Sequence, residues 1–181
     1  MSMKKKIMIA GFGGQGVMSI GKSLVEAGME EGLEVSWVPS YGPEMRGGTA
    51  NCMVMLSTSP VASPVFARCT ELVAMNYPSL VKFAPSVLPE VTIFINSSII
   101  TEDFEREGVT IHRVPCDDIA QKLGNGKCAN MVMLGAVIGA TGALQKESVE
   151  KMIHHIFSGP KAKLADLNIA ALAAGMEAVA K

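Results

Sequence analysis

Three glycines raise the first chemical question. Gly11, Gly13 and Gly16 stand in "GFGGQG" as G-x-G-x-x-G, and Gly14 adds a fourth. The run follows an apolar stretch and opens a helical pattern, which is the setting of a dinucleotide-binding loop. In such a loop the first glycine allows a tight turn. The second lets a ligand approach the backbone, and the third lets helix pack on strand. The N–H groups at the start of the helix then face an anion. A complete dinucleotide site also needs an acid at the end of the second strand to hold the ribose hydroxyls. Here that strand ends Trp37-Val38-Pro39, and Glu30, Glu31 and Glu34 lie before it or at its start. The fingerprint is therefore half present. Three readings stay open: a dinucleotide site, a tight turn without a ligand, and a site for another anion or a protein surface.

A second stretch, "PSYGPEMRGG" (39–48), carries Tyr41 and places Arg46 directly before Gly47 and Gly48. A guanidinium beside bare backbone amides suits a phosphate or a carboxylate, and Tyr41 adds an aromatic face. Alternatively, Arg46 pairs with Glu44 or orders the loop. If the sheet is parallel, this loop and the glycine loop both leave the C-terminal ends of strands. That is the edge where open α/β sheets bind ligands.

Other chemistry is sparse, and no catalytic residue and no metal site is expected. The histidines are His112, His154 and His155. Neighbours on a helix point about 100° apart, so His154 and His155 do not share a metal. Cys52, Cys69, Cys116 and Cys128 form no C-x-x-C pair, so free, buried thiols in a reducing cytoplasm are expected.

The elements that must position these residues alternate. Residues 5–11 read as a strand, 17–32 as a helix stopped at Gly32, and 34–38 as a second strand, the start of a parallel α/β unit. Strands follow at 49–56, 71–75, 91–96 and 109–114. A helix at 78–88 has Pro78 in its first turn and Pro85 to shorten or bend it. The end is helical: 117–124 with Asp117 or Asp118 as cap, then 128–142, 146–157 and 161–181. The expected fold is α/β: one domain over 1–181 with a Rossmann-like, mainly parallel sheet flanked by helices and a helical C-terminal part.

Composition bounds the partners. The 181 residues are 49% hydrophobic and only 18% charged, so part of the apolar surface is expected to meet a partner. A net charge of −1 argues against nucleic acid or an anionic membrane. Glycines break the apolar run after the first lysines, unlike a secretory signal. The uncharged stretch 128–145 carries Asn130, Thr141 and three glycines and reads as a buried helix rather than a membrane span. Gly135, Ala136, Gly139 and Ala140 set small residues four apart, for close packing inside the domain or against another chain.

The segments "GFGGQGV" (11–17), "PSYGPEMRGGTANC" (39–52), "NYPSLVKF" (76–83), "NSS" (96–98) and "NMVMLGA" (130–136) occur in this order. In this the chain resembles the gamma subunit of 2-oxoacid:ferredoxin oxidoreductases over nearly its whole length. The "SYGPEMRGG" form is most similar to the 2-oxoglutarate type, with the branched-chain type as near neighbour. The resemblance implies a cytoplasmic complex with alpha, beta and ferredoxin-like delta partners. It implies thiamine diphosphate, magnesium and iron–sulfur clusters on those other parts, an acyl-CoA product, and electrons passed to ferredoxin. It also implies a coenzyme A-proximal or structural role for this chain, inactive alone. Gly11, Gly13, Gly14, Gly16, Tyr41, Arg46, Gly47 and Gly48 are then the candidate binding residues. A free-standing dinucleotide-binding oxidoreductase and a pure assembly scaffold remain the alternatives.

Overall fold

The computed structural model describes residues 2–42 and 48–180. Six strands form one sheet in the order β2-β3-β1-β4-β5-β6. They are β1 (Lys4–Phe12), β2 (Glu34–Tyr41), β3 (Thr49–Ser57), β4 (Cys69–Ala74), β5 (Val87–Asn96) and β6 (Thr110–Val114). β1, β4, β5 and β6 are mutually parallel, while β3 runs antiparallel between β1 and β2. The sheet is thus mainly parallel, as expected, with one addition: β2 and β3 form a hairpin that folds β3 back beside β1. Hydrophobic pattern alone does not set strand direction, so the unit begun at 5–38 gains a neighbour that the pattern did not specify.

Six helices follow from the same alternation: α1 (Val17–Glu30), α2 (Tyr77–Phe83), α3 (Cys116–Lys122), α4 (Ala129–Thr141), α5 (Lys146–Ile156) and α6 (Ala162–Val179). One face of the sheet, with Ile7, Ile9, Val54, Val73 and Phe94, packs against α1 and α3 to α6. The other face, with Met8, Leu72, Ile93 and Ile95, packs against short α2 and Ile100. The crossover after β1 therefore lies on one face and the crossover after β4 on the other. A crevice opens between their C-terminal ends, where ligands of open α/β sheets bind.

Several boundaries differ from the sequence reading, three of them for a clear physical reason. Proline shortens α2 more than the pattern showed: it stops at Phe83, and a 3-10 turn holds Pro85 before β5 begins at Val87. α3 starts at Cys116 behind Pro115, so Asp117 and Asp118 sit inside its first turn and neither caps it. β2 continues through Pro39 to Tyr41, which leaves a shorter connection to β3.

The charge-free segment is the central helix. α4 is buried from Met131 to Ile138 and packs on α6 with almost no space between the backbones. A Cβ on Gly135 would strike the Leu172 carbonyl oxygen, and one on Gly175 would strike that of Val132. The small-residue spacing thus serves packing inside this chain. No described helix is long and apolar enough to cross a membrane. Gly175→Ala is expected to lower stability by about 1–3 kcal/mol, the usual cost of overpacking. Denaturant titration reads this as a lower midpoint, and a midpoint equal to wild type contradicts the close approach.

Candidate functional site

The glycine loop runs from the end of β1 into α1, and its glycines divide the work differently from the motif's usual roles. Gly11 lies in the strand, where a Cβ would come within 2.9 Å of Met75 and Val17. Gly14 has φ +93° and open space around it, so the backbone is bare on the solvent side. Gly16 has φ +77° and caps α1, and a Cβ there would collide with Asn130. Left-handed φ at these two positions is what glycine supplies without strain.

Gln15 locks the loop. Its Oε1 accepts from the Phe12 amide at 2.7 Å and from Asn76 Nδ2 at 3.2 Å, and its Nε2 donates to the Met75 carbonyl at 2.9 Å. Asn76 in turn caps α2, accepting from the Ser79 amide at 2.9 Å. One side chain therefore joins the end of β1, the end of β4 and the start of α2. Across the crevice, Asn96 at the end of β5 donates to Asp117 at 2.7 Å and accepts from the Ser98 amide.

The other side of the loop meets the hairpin. The Gly13 amide donates to the Gly48 carbonyl at 2.9 Å, and Gly42 N donates to Thr49 O at 3.0 Å. A cavity of about 350 Å³ lies here, lined by Gly13, Gly14, Gly16, Tyr41, Gly42, Gly48 and neighbours. A second, of about 410 Å³, lies on the crevice side with Gly14, Gln15, Gly16, Asn96, Asp117, Lys127 and Asn130. The structure thus brings Gly13, Gly14, Gly16, Tyr41 and Gly48 together and keeps Gly11 behind them as a packing position. Arg46 and Gly47 lie outside the described residues.

The start of α1 is the electrostatic feature. The amides of Val17, Met18 and Ser19 have no preceding turn to donate to, Gly16 offers no capping side chain, and no acid stands in the first turn. The helix end is left with partial positive charge and free donors, which together suit an anion. The described residues beside the end of β1 are Thr49 and Ala50, neither of them acidic.

The thiols are not poised as nucleophiles. All four thiols are buried. Burial pushes Cys52 up to about 11, with the Trp37 indole opposing. That indole N–H has no oxygen or nitrogen acceptor and faces the Cys52 sulfur. Burial likewise raises Cys69, Cys116 and Cys128. Among the described residues no group of three or more His, Cys, Asp or Glu could hold a metal ion. His112 stacks on Phe94 with ring centroids 5.4 Å apart.

The sequence reading missed Gln15, Asn76, Asn96 and Asn130. Gln15 in "GGQG" and Asn76 in "NYP" sit at strand–helix junctions, Asn96 ends β5 and Asn130 lies in the first turn of α4, places where such side chains satisfy orphan backbone groups. Gln15→Leu removes three hydrogen bonds and leaves buried partners unpaired, so a loss of about 2–4 kcal/mol is expected. Faster hydrogen exchange at the Phe12 amide is expected with it; unchanged exchange there contradicts the lock. Thiol alkylation at pH 8 is expected only as fast as unfolding, because a raised pKa leaves little thiolate below it. A stoichiometric fast thiol contradicts this.

Residues 6–178 match the family described as pyruvate ferredoxin/flavodoxin oxidoreductase. Ketoisovalerate oxidoreductase subunit VorA of Methanothermobacter thermautotrophicus is 44% identical over 174 residues, which is 95% of this chain and 36% of VorA. The chain thus spans about a third of the length of that relative. The gamma subunit of keto/oxoacid ferredoxin oxidoreductase from Geobacter sulfurreducens superposes with a TM-score of 0.81 at 26% identity, covering 97% of this chain and 98% of that one. A 2-oxoglutarate:ferredoxin oxidoreductase from Magnetococcus marinus, solved with 2-oxoglutarate, coenzyme A and succinyl-CoA, shares the fold with a TM-score of 0.87. Its identity is 22%, and the match covers 97% of this chain and 31% of that one. The matched residues take in the glycine loop, the hairpin and the helical end alike, and the chain belongs to the pyruvate ferredoxin/flavodoxin oxidoreductase family.

Proposed function

We propose that this chain is the gamma-type subunit, a single domain over 1–181, of a multisubunit 2-oxoacid:ferredoxin oxidoreductase. The complex oxidatively decarboxylates a 2-oxoacid of the branched-chain or 2-oxoglutarate class to an acyl-CoA and CO2, and passes electrons to ferredoxin in the cytoplasm. On this reading thiamine diphosphate, magnesium and iron–sulfur clusters belong to the alpha, beta and ferredoxin-like delta partners. What this chain contributes is a place for coenzyme A.

The observation that carries this reading is the meeting of two loops. Gly13 is hydrogen-bonded to Gly48, and the cavity between them contains Gly14, Gly16, Tyr41 and the uncapped start of α1. A phosphate there receives backbone N–H groups and the helix field. Gly42 and Gly48, the described residues flanking the segment with Arg46 and Gly47, both line the cavity. A guanidinium from that segment adds the paired donors that a phosphate takes best. The chain holds and orients the coenzyme; bond making and breaking occur on the partners.

Arg46→Ala in the assembled oxidoreductase is expected to raise the KM for coenzyme A about 10- to 100-fold, the loss of one or two charge-assisted hydrogen bonds. Assembly, read by size-exclusion chromatography, is expected to persist. Unchanged KM and turnover contradict the ligand role, and lost assembly points to a scaffold role instead.

A further inference from the structure

The stretch "NYPSLVKF" (76–83) meets the glycine loop through Asn76, and the rest of it forms α2 on the lightly covered face of the sheet. α2 buries Ser79 and Leu80 and turns Tyr77 and Val81 outward. These two are four residues apart, so they share one side of the helix. Val81 is 53% exposed and Tyr77 36%. A cavity of about 360 Å³ lies between α2 and the segment 101–107. Tyr77, Val81, Pro85 and Phe104 give it apolar walls, with Glu105 and Arg106 beside them.

The charge next to this apolar centre is mostly negative. The segment carries Glu102, Asp103, Glu105 and Glu107, all exposed, against one arginine. Arg106 donates to the Val87 carbonyl at 3.0 Å, and Arg113 of β6 donates to the Glu102 carbonyl at 3.0 Å. Both guanidinium groups are thus engaged by backbone. Among the described residues none of the four carboxylates forms an ion pair. On α2, Lys82 lies over the Phe83 ring at 5.1 Å.

An apolar centre with a charged rim and a half-exposed tyrosine has the make-up of a protein interface. The rim selects the occupant. It repels nucleic acid and an anionic membrane. It also disfavours a second copy, because a twofold contact sets the same patch against itself, acid against acid. A different chain with an apolar side chain flanked by lysine or arginine is complementary in both respects. We infer that α2 and the segment 101–107 dock another subunit of the complex through such a basic-flanked apolar side chain. The inference rests on the proposed function, which supplies the complex. It adds the surface by which this chain is held, on the face of the sheet opposite α1.

Carbodiimide cross-linking of the assembled oxidoreductase, read by peptide mass spectrometry, tests the occupant. It joins carboxylates to lysine amines in contact, so the acids of 102–107 are expected to link to a lysine of another subunit. Two variants test the surface. Val81→Arg puts a charge in the apolar centre, and Asp103→Lys with Glu105→Lys reverses the rim. Thermal melting of the free chain checks that each folds. The rim variant changes exposed side chains alone and serves if the first does not fold. Each is expected to raise the Kd between this chain and its partners at least about tenfold, read by size-exclusion chromatography of a dilution series. Wild-type affinity is expected to fall with added salt, and that of the rim variant to respond less. No such link, together with an unchanged Kd in the folded variants, overturns the docking surface. A link from the segment to a second copy of this chain overturns the choice of occupant. A wild-type chain that assembles with no oxidoreductase subunit overturns the underlying reading and this inference with it.

Discussion

The glycine-loop edge of the sheet depends on one side chain. Gln15 sits inside the glycine loop and spends both ends of its carboxamide on backbone and on Asn76. A loop of four glycines has large conformational entropy to lose, and glycine alone does not choose one conformation. Gln15 chooses it by making the ends of β1 and β4 share one hydrogen-bonded joint. With that joint fixed, Gly16 turns α1 upward, its free amides point at the crevice, and Gly13 reaches the hairpin.

The second constraint comes from packing. α4 and α6 approach so closely at Gly135 and Gly175 that the helical layer behaves as one slab. The slab sets Asn130 against Gly16 and lines the crevice cavity. Rigid backing of this kind is what a backbone anion site requires. Backbone donors bind well only if they are held in place before the ligand arrives. The opposite face of the sheet is lightly covered, by α2 and the segment around Ile100, and Tyr77 and Val81 of α2 remain exposed.

Much of this was legible in the sequence. The α/β alternation, the buried central helix in 128–145 and the pairing of the glycine loop with the 39–48 stretch on one edge followed from periodicity and turn chemistry. The direction of β3 did not, because a strand buried on both faces has the same pattern in either direction. The cap of α3 was misplaced because Pro115 starts that helix before Asp117 is reached. Gln15, Asn76, Asn96 and Asn130 were invisible as a set, since Gln15 and Asn76 meet across about sixty positions and Asn96 meets Asp117 beyond the next strand.

On the proposed function, the backbone at the start of α1 binds an anionic ligand of the complex. Hydrogen exchange of the assembled oxidoreductase, with and without saturating coenzyme A, tests it most directly. Amides in residues 13–19 are expected to exchange more slowly when coenzyme A is bound, because they donate to its phosphates. Unchanged exchange in 13–19, with protection confined to the partner chains, contradicts the account.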